Sequence, residues 1–139
     1  MNLSDEMKSR LLERAAQARQ WAYAPYSNYQ VGAALLTESG KIYDGVNVES
    51  AAYPSSMCAE RVAIFKAISE GERHFQAIAV STANAGTPCG GCRQVMVEFS
   101  LDMTVLIGDA DGNLAFEMTV ADLLPGAFTP QDLRRWPPG

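Results

Sequence analysis

Three cysteines are the residues of this 139-residue sequence whose type and spacing promise chemistry. Cys89 and Cys92 form a C-x-x-C pair, and Cys58 stands well upstream of them. An odd count, in a chain long enough to build its own core, argues against a disulfide framework. One reading is a buried cysteine plus a chance pair; the other is three thiolates around a metal ion. Three thiolates suit zinc and leave one of its four tetrahedral positions open. A structural site closes with four protein ligands, whereas a catalytic site keeps the open position for water. The lone histidine, His74, lies in the polar connector Gly71-Glu72-Arg73-His74. A helix between it and Cys58 would hold the two about 20 Å apart, so His74 reads as a surface residue.

The neighbours of the cysteines sharpen the metal reading. Glu60 follows Cys58 by two residues. An acidic residue in a first helical turn is ordinary, but beside a metal and a water it can accept a proton and return it as a general acid. Arg61 and Arg93 come directly after the two cysteine motifs. Three thiolates on a divalent ion leave one net negative charge, which guanidinium N–H groups on sulfur would offset. Each arginine is otherwise a solvated helix face, and Arg61 is the stronger candidate.

These residues need helices and strands to bring them together. From Ser4, a potential cap, Met7, Leu11, Leu12, Ala15, Ala18 and Ala22 recur at helical spacing as far as about Trp21. Pro25 then breaks the helix. Val31–Thr37 and Lys41–Asn47 read as strands around the short loop Glu38-Ser39-Gly40, hence an antiparallel hairpin. Asn47 to Met57 is irregular. Cys58 opens a helix that Gly71 ends near Glu70, and Phe75–Ser81 alternates as a strand. A second helix starts at the C-x-x-C pair and runs through Phe99. Met103–Ile107 is a strand, Asp109-Ala110-Asp111-Gly112 a turn and Asn113–Glu117 a weaker strand; Thr119 opens a short helix that stops before Pro125. The β-α-β-α-β run argues for parallel strands crossed over by helices, and the short acidic turn makes the last strand antiparallel. The expected fold is therefore α/β: a three-layer α-β-α sandwich with a five-stranded mixed sheet. In such a sheet the helix N-termini gather at one edge. There their partial positive charge favours thiolates, so the three sulfurs can converge.

Composition narrows the function classes. The chain is 47% hydrophobic and 19% charged, with a formal net charge of −5. This length predicts one domain over 1–139, with 134–139 a frayed tail. The acidity offers no pull toward nucleic acid or anionic membrane. No apolar run approaches a membrane span, and the first residues carry no signal-peptide core, so a cytoplasmic protein is expected.

Cys58-Ala59-Glu60 followed by Pro88-Cys89-x-x-Cys92 resembles the zinc-dependent cytidine deaminase signature. The likeness continues in Ala24-Pro25-Tyr26-Ser27-Asn28, Val31-Gly32-Ala33-Ala34-Leu35, Asn47-Val48-Glu49, Tyr53-Pro54, Cys89-Gly90-Gly91-Cys92-Arg93-Gln94-Val95 and Leu123-Leu124-Pro125-Gly126-Ala127-Phe128. It spans roughly Ala22 to Leu133 and is similar to the small nucleoside cytidine deaminases. The resemblance implies one Zn²⁺ held by Cys58, Cys89 and Cys92, with Glu60 moving protons from water to ring N3 and then to the departing ammonia. It further implies Asn47 and Glu49 on the ribose 3′-hydroxyl, Tyr29 packed on the substrate where the family usually has Phe, and the Ala59 N–H and Thr87 carbonyl at the base. Tyr53 and Phe128 would reach a neighbouring subunit's site in a homotetramer. Taken alone, Tyr29 and Phe128 read as core packing, and Asn47 as a strand end.

The reaction implied is deamination of cytidine and 2′-deoxycytidine to the uridines, in pyrimidine salvage. Ser50, Ala52, Ser55 and Ser56 depart from common family residues, and they bear on which bases are accepted. Three other readings compete: a deaminase of a modified cytosine nucleoside or cytosine-containing antibiotic, a non-catalytic zinc protein, and an editor of polynucleotides. The open coordination position and Glu60 oppose the second, and the acidic charge opposes the third.

Overall fold

The computed structural model describes residues 3–134. The first helix, α1 (Asp5–Ala18), continues as a 3-10 turn over Arg19–Trp21. Ser4 caps it, its hydroxyl accepting from the Met7 amide at 3.1 Å. Strands β1 (Gly32–Thr37) and β2 (Ile42–Val46) form the expected hairpin. They are followed by α2 (Ala59–Ser69), β3 (Phe75–Ser81), α3 (Gly90–Phe99), β4 (Thr104–Gly108) and β5 (Leu114–Thr119). Two short helices, α4 (Val120–Leu123) and α5 (Pro130–Arg134), complete the order. The α5 turn is absent from the sequence expectation. It is too short for a hydrophobic period, but Thr129-Pro130-x-Asp132 signals it: proline at the first helical position, and Asp132 Oδ2 accepting from the Thr129 amide at 2.8 Å. Of the tail expected at 134–139, Arg134 ends α5 and the rest lies outside the described residues.

The five strands form one mixed sheet in the order β2-β1-β3-β4-β5. β2, β3 and β4 run the same way, yet only β3 and β4 are parallel neighbours, because β1 is inserted antiparallel between β2 and β3. The apolar pattern explains the insertion. Every residue of β1 is buried, which suits an interior strand covered on both faces, whereas β2 alternates and takes the edge.

The two faces of the sheet carry different side chains. One presents Ala34, Ala77 and Ala79, small enough for Leu11, Leu12 and Ala15 of α1 to press close. The other presents Leu35, Ile78, Val80, Val105 and Ile107 to α2 and α3. Truncating a buried leucine such as Leu11 would cost about 2–5 kcal/mol. Gly45 sets the seat of α2: a Cβ there would stand 2.6 Å from both the Ala59 carbonyl oxygen and the Ala63 amide nitrogen. Only glycine permits that approach, which brings the start of α2 onto β2. Among the described residues no helix is long and apolar enough to cross a membrane.

Candidate active site

The site lies at the edge where β2 and β3 end and β1 begins. Cys58 is the N-cap of α2 and Cys89 the N-cap of α3, both in extended backbone with no side-chain capping bond. Their sulfurs are therefore free to face each other, and they lie 3.9 Å apart. Cys92, one helical turn beyond Cys89, is fully buried. All three sulfurs fall within 4.8 Å of one another. Zinc–sulfur bonds of about 2.3 Å in a tetrahedron put sulfurs about 3.8 Å apart, so the cluster fits one zinc ion. His74 is exposed beyond the far end of α2 and outside this cluster.

Charge and burial shape the chemistry of the group. The Cys92 thiol donates to Cys58 while burial opposes; with the hydrogen bond and charge of Arg61 added, the Cys58 thiol is pulled down to about 5. The same sharing with Cys58, followed by burial, pushes Cys92 well up. Arg61 Nη2 lies 3.3 Å from Cys58 Sγ. Arg93 has a different task. Its Nε donates to the Pro88 carbonyl and its Nη1 to the Leu123 carbonyl, each at 2.7 Å, and its Nη2 to Thr87 Oγ1 at 3.1 Å. It staples the loop ahead of Cys89 rather than a sulfur. Glu60 is only 4% exposed. Burial first, then the nearby Cys58 charge, raise its carboxyl above the usual range, against its own backbone amide and the Cys92 thiol. A buried carboxyl of raised proton affinity is suited to passing protons near neutral pH.

These groups open into a cavity of about 590 Å³, a volume typical of small-molecule sites. Tyr29, Asn47, Glu49, Ala59 and Thr87 all line it, with Cys58, Glu60, Arg61 and Cys89. Asn47 and Glu49 already hold the chain that leads into β1. Asn47 Oδ1 accepts from the Val31 amide at 2.9 Å, and its Nδ2 donates to the Tyr29 carbonyl at 2.8 Å. Glu49 Oε1 accepts from the Tyr26 and Ser27 amides at 3.0 and 3.1 Å, and Oε2 accepts from the Ser27 hydroxyl. A carboxylate offers about four acceptor sites and an amide two donors, so each keeps capacity for a ligand hydroxyl. In the sequence Ser27 stands only as part of the Ala24-Pro25-Tyr26-Ser27-Asn28 motif, with no role and no partnership with Glu49. A serine two residues after a proline in a turn is the only signal.

The aromatic residues depart from the core-packing reading. Tyr29 is 39% exposed on the cavity wall, and Tyr53, 65% exposed, lines this chain's own cavity. Phe128 is 57% exposed, held by its carbonyl accepting from Gln94 Nε2 at 2.7 Å. It lies outside the cavity lining of the single chain.

Residues 5–108, which carry every element from α1 to β4 and all three cysteines, match the family profile described as the cytidine and deoxycytidylate deaminase zinc-binding region. The chain belongs to that family. It is a zinc-binding deaminase, and its three-cysteine cluster could hold one zinc ion. A cytidine deaminase of Halalkalibacterium halodurans is 51% identical over 126 residues, covering 88% of this chain and 95% of that protein. One from Sporosarcina psychrophila is 50% identical over 127 residues, covering 89% and 93%. The crystal structure of cytidine deaminase from Burkholderia pseudomallei superposes with a TM-score of 0.82 at 44% identity, covering 91% of this deaminase and all of that chain. The five-stranded sheet and its flanking helices are thus the fold of the family.

Proposed function

We propose that this deaminase removes the exocyclic amine of cytidine and 2′-deoxycytidine by hydrolysis, giving the uridines and ammonia. The observation that carries the reading is a buried Glu60 opening into the same cavity as Cys58 and Cys89. Cys58, Cys89 and Cys92 would hold zinc, which when bound supplies Lewis-acid activation of water. Glu60 moves the protons: its carboxylate accepts one from the attacking water and delivers it to ring N3. It then takes the second from the oxygen now bonded to the ring carbon and gives it to the amine, which leaves as ammonia as the ring carbonyl forms. Ala59 opens α2, where backbone N–H groups have no partner within the helix, and its amide faces the base. The Thr87 carbonyl accepts from the exocyclic amine, and the Tyr29 ring packs against the nucleoside.

Asn47 and Glu49 take the ribose 3′-hydroxyl. The Ser27 hydroxyl, opposed by burial and helped by the Ser27 and Tyr26 amides, holds the Glu49 carboxyl below its usual range, so it stays ionised. An anion at that place repels a 5′-phosphate, and the expected substrates are nucleosides rather than nucleotides. Four copies assemble as a homotetramer in which the exposed Phe128 closes a neighbouring cavity and excludes bulk water, while Tyr53, which lines the cavity of its own chain, meets the neighbour at that rim. Three cysteines without a disulfide suit a reducing compartment, so the enzyme works in the cytoplasm, in pyrimidine salvage.

A substrate panel scored for ammonia release tests the reading: cytidine, deoxycytidine, N4-substituted cytidines, free cytosine and CMP. Turnover of the two plain nucleosides with poor use of cytosine and CMP is expected. Turnover confined to N4-substituted nucleosides would move the enzyme to modified bases, and CMP turnover equal to cytidine's would overturn the ribose-side assignment.

A further inference from the structure

Tyr29 carries a hydroxyl that stacking against a substrate does not require. That hydroxyl donates to Asn84 Oδ1 at 2.6 Å, across 55 residues of chain. Asn84 lies in the loop from β3 to α3, the loop that delivers Thr87 to the cavity and Cys89 to the sulfur cluster. The same Oδ1 accepts from Thr82 Oγ1 at 3.3 Å, and Thr82 Oγ1 accepts from the Gly86 amide at 2.8 Å. Between them Ala85 sits at φ 54°, in the left-handed region that a residue with a Cβ enters at a cost. Gly86 belongs to the same arrangement, since a Cβ there would stand 2.6 Å from the Tyr29 hydroxyl oxygen. At its far end the loop is pinned by Arg93 on Pro88 and Thr87. At its near end the tether is Tyr29, whose own backbone is gripped by Asn47.

We propose that the Tyr29 hydroxyl is a positioning group: by holding Asn84 it keeps the strained Ala85–Gly86 turn in place, and so fixes the cavity wall at Thr87 against the substrate base. This rests on the substrate cavity proposed above, and it links the ribose side at Asn47 to the base side at Thr87 through one side chain. A ring without the hydroxyl would still stack but would leave the turn free to relax. The strain at Ala85 gives it a reason to do so.

The test is a double-mutant cycle of Tyr29→Phe and Asn84→Ala in the zinc-loaded protein, with Asn84→Asp as the conservative variant. KM and kcat for cytidine, zinc content, and amide hydrogen exchange over residues 82–88 without substrate are measured for each. Either single change should raise KM about five- to ten-fold, the worth of one ordinary net hydrogen bond. Zinc content and kcat should stay near the parent values, and exchange at Gly86 should quicken. The double variant should be no worse than either single, and Asn84→Asp, which keeps an oxygen acceptor, should restore the parent KM. Unchanged exchange in both single variants would overturn the tether. Quicker exchange with an unchanged KM, or KM increases that multiply in the double variant, would overturn its positioning role. A parent protein that leaves cytidine intact would count against the proposed reaction, while the exchange comparison would still decide the tether. Were Tyr29→Phe to unfold, Asn84→Ala against Asn84→Asp carries the same comparison.

Discussion

Arg61 reaches back one helical turn to place Nη2 3.3 Å from the Sγ of Cys58. The sulfur sits at the mouth of α2 and the guanidinium beside it, so a zinc ion held by three thiolates would find its offsetting positive charge on the same helix as Cys58. The contact works both ways: behind the Cys92 hydrogen bond, Arg61 lowers the proton affinity of Cys58, and Cys58 raises that of Arg61. Replacing Arg61 with Gln should leave the fold intact while weakening zinc affinity about 10- to 100-fold, the usual effect of losing a partner behind a metal ligand. Competition with a chromogenic chelator measures it. Arg93→Gln, which removes contacts to carbonyls and a hydroxyl rather than to sulfur, should hold zinc better than Arg61→Gln. The reverse order would mean that the sulfur contact is incidental.

Glu60→Ala should retain zinc and the native melting behaviour and lose roughly 10²- to 10⁴-fold in turnover, the range for removing a general acid–base group. Metal analysis and ammonia release on the same preparation separate the two effects. Near-normal turnover in a zinc-loaded variant would remove Glu60 from the mechanism.

Phe128 projects from the chain with more than half its surface exposed, outside the cavity that its own chain forms. If it closes a neighbour's cavity, Phe128→Ala should raise KM for cytidine and lower the average mass seen by light scattering, with zinc unchanged. A fully active monomer at assay concentration would rule out shared sites and leave the metal chemistry standing.

Asp44 lies between two cations, 3.2 Å from Arg14 and 3.3 Å from Lys66. Burial pushes its carboxyl up, but the hydrogen bonds and charges of Arg14 and Lys66 outweigh that and hold it below the ordinary value. A carboxyl depressed in the folded state binds fewer protons there than when unfolded. Its contribution to stability is therefore present above the unfolded-state pKa and lost as pH falls through the folded one. Asp44→Asn should lower stability at neutral pH by no more than about 1 kcal/mol, because the pair is substantially exposed and screened. Melts well below pH 3.8, the ordinary value, should show the two proteins converging. A gap that persists there would point to packing rather than charge.

The three-cysteine cluster was legible because its parts are written in local spacing. Cys89 and Cys92 share a helical turn, Cys58 and Glu60 share another, and helix starts announce themselves through capping positions and the end of irregular chain. The order of helices and strands followed from periodicity for the same reason, down to Ser4 as a cap; α5 shows the limit, a five-residue turn with a capping signal but no period.

Other features depended on contacts between residues far apart in the chain, which spacing does not encode. β1 lies between β2 and β3 because its residues, all of them buried, need cover on both faces, a competition that only the assembled sheet resolves. Asn47 and Glu49 read as polar groups awaiting a sugar, yet packing first employs them on the backbone before β1. Tyr29 and Asn84, 55 residues apart, meet because β1 and β3 are neighbours in the sheet. Sequence by itself determined which atoms could bind zinc and carry protons; the tertiary structure decided which polar groups are already satisfied, since that depends on what folding brings within 3 Å.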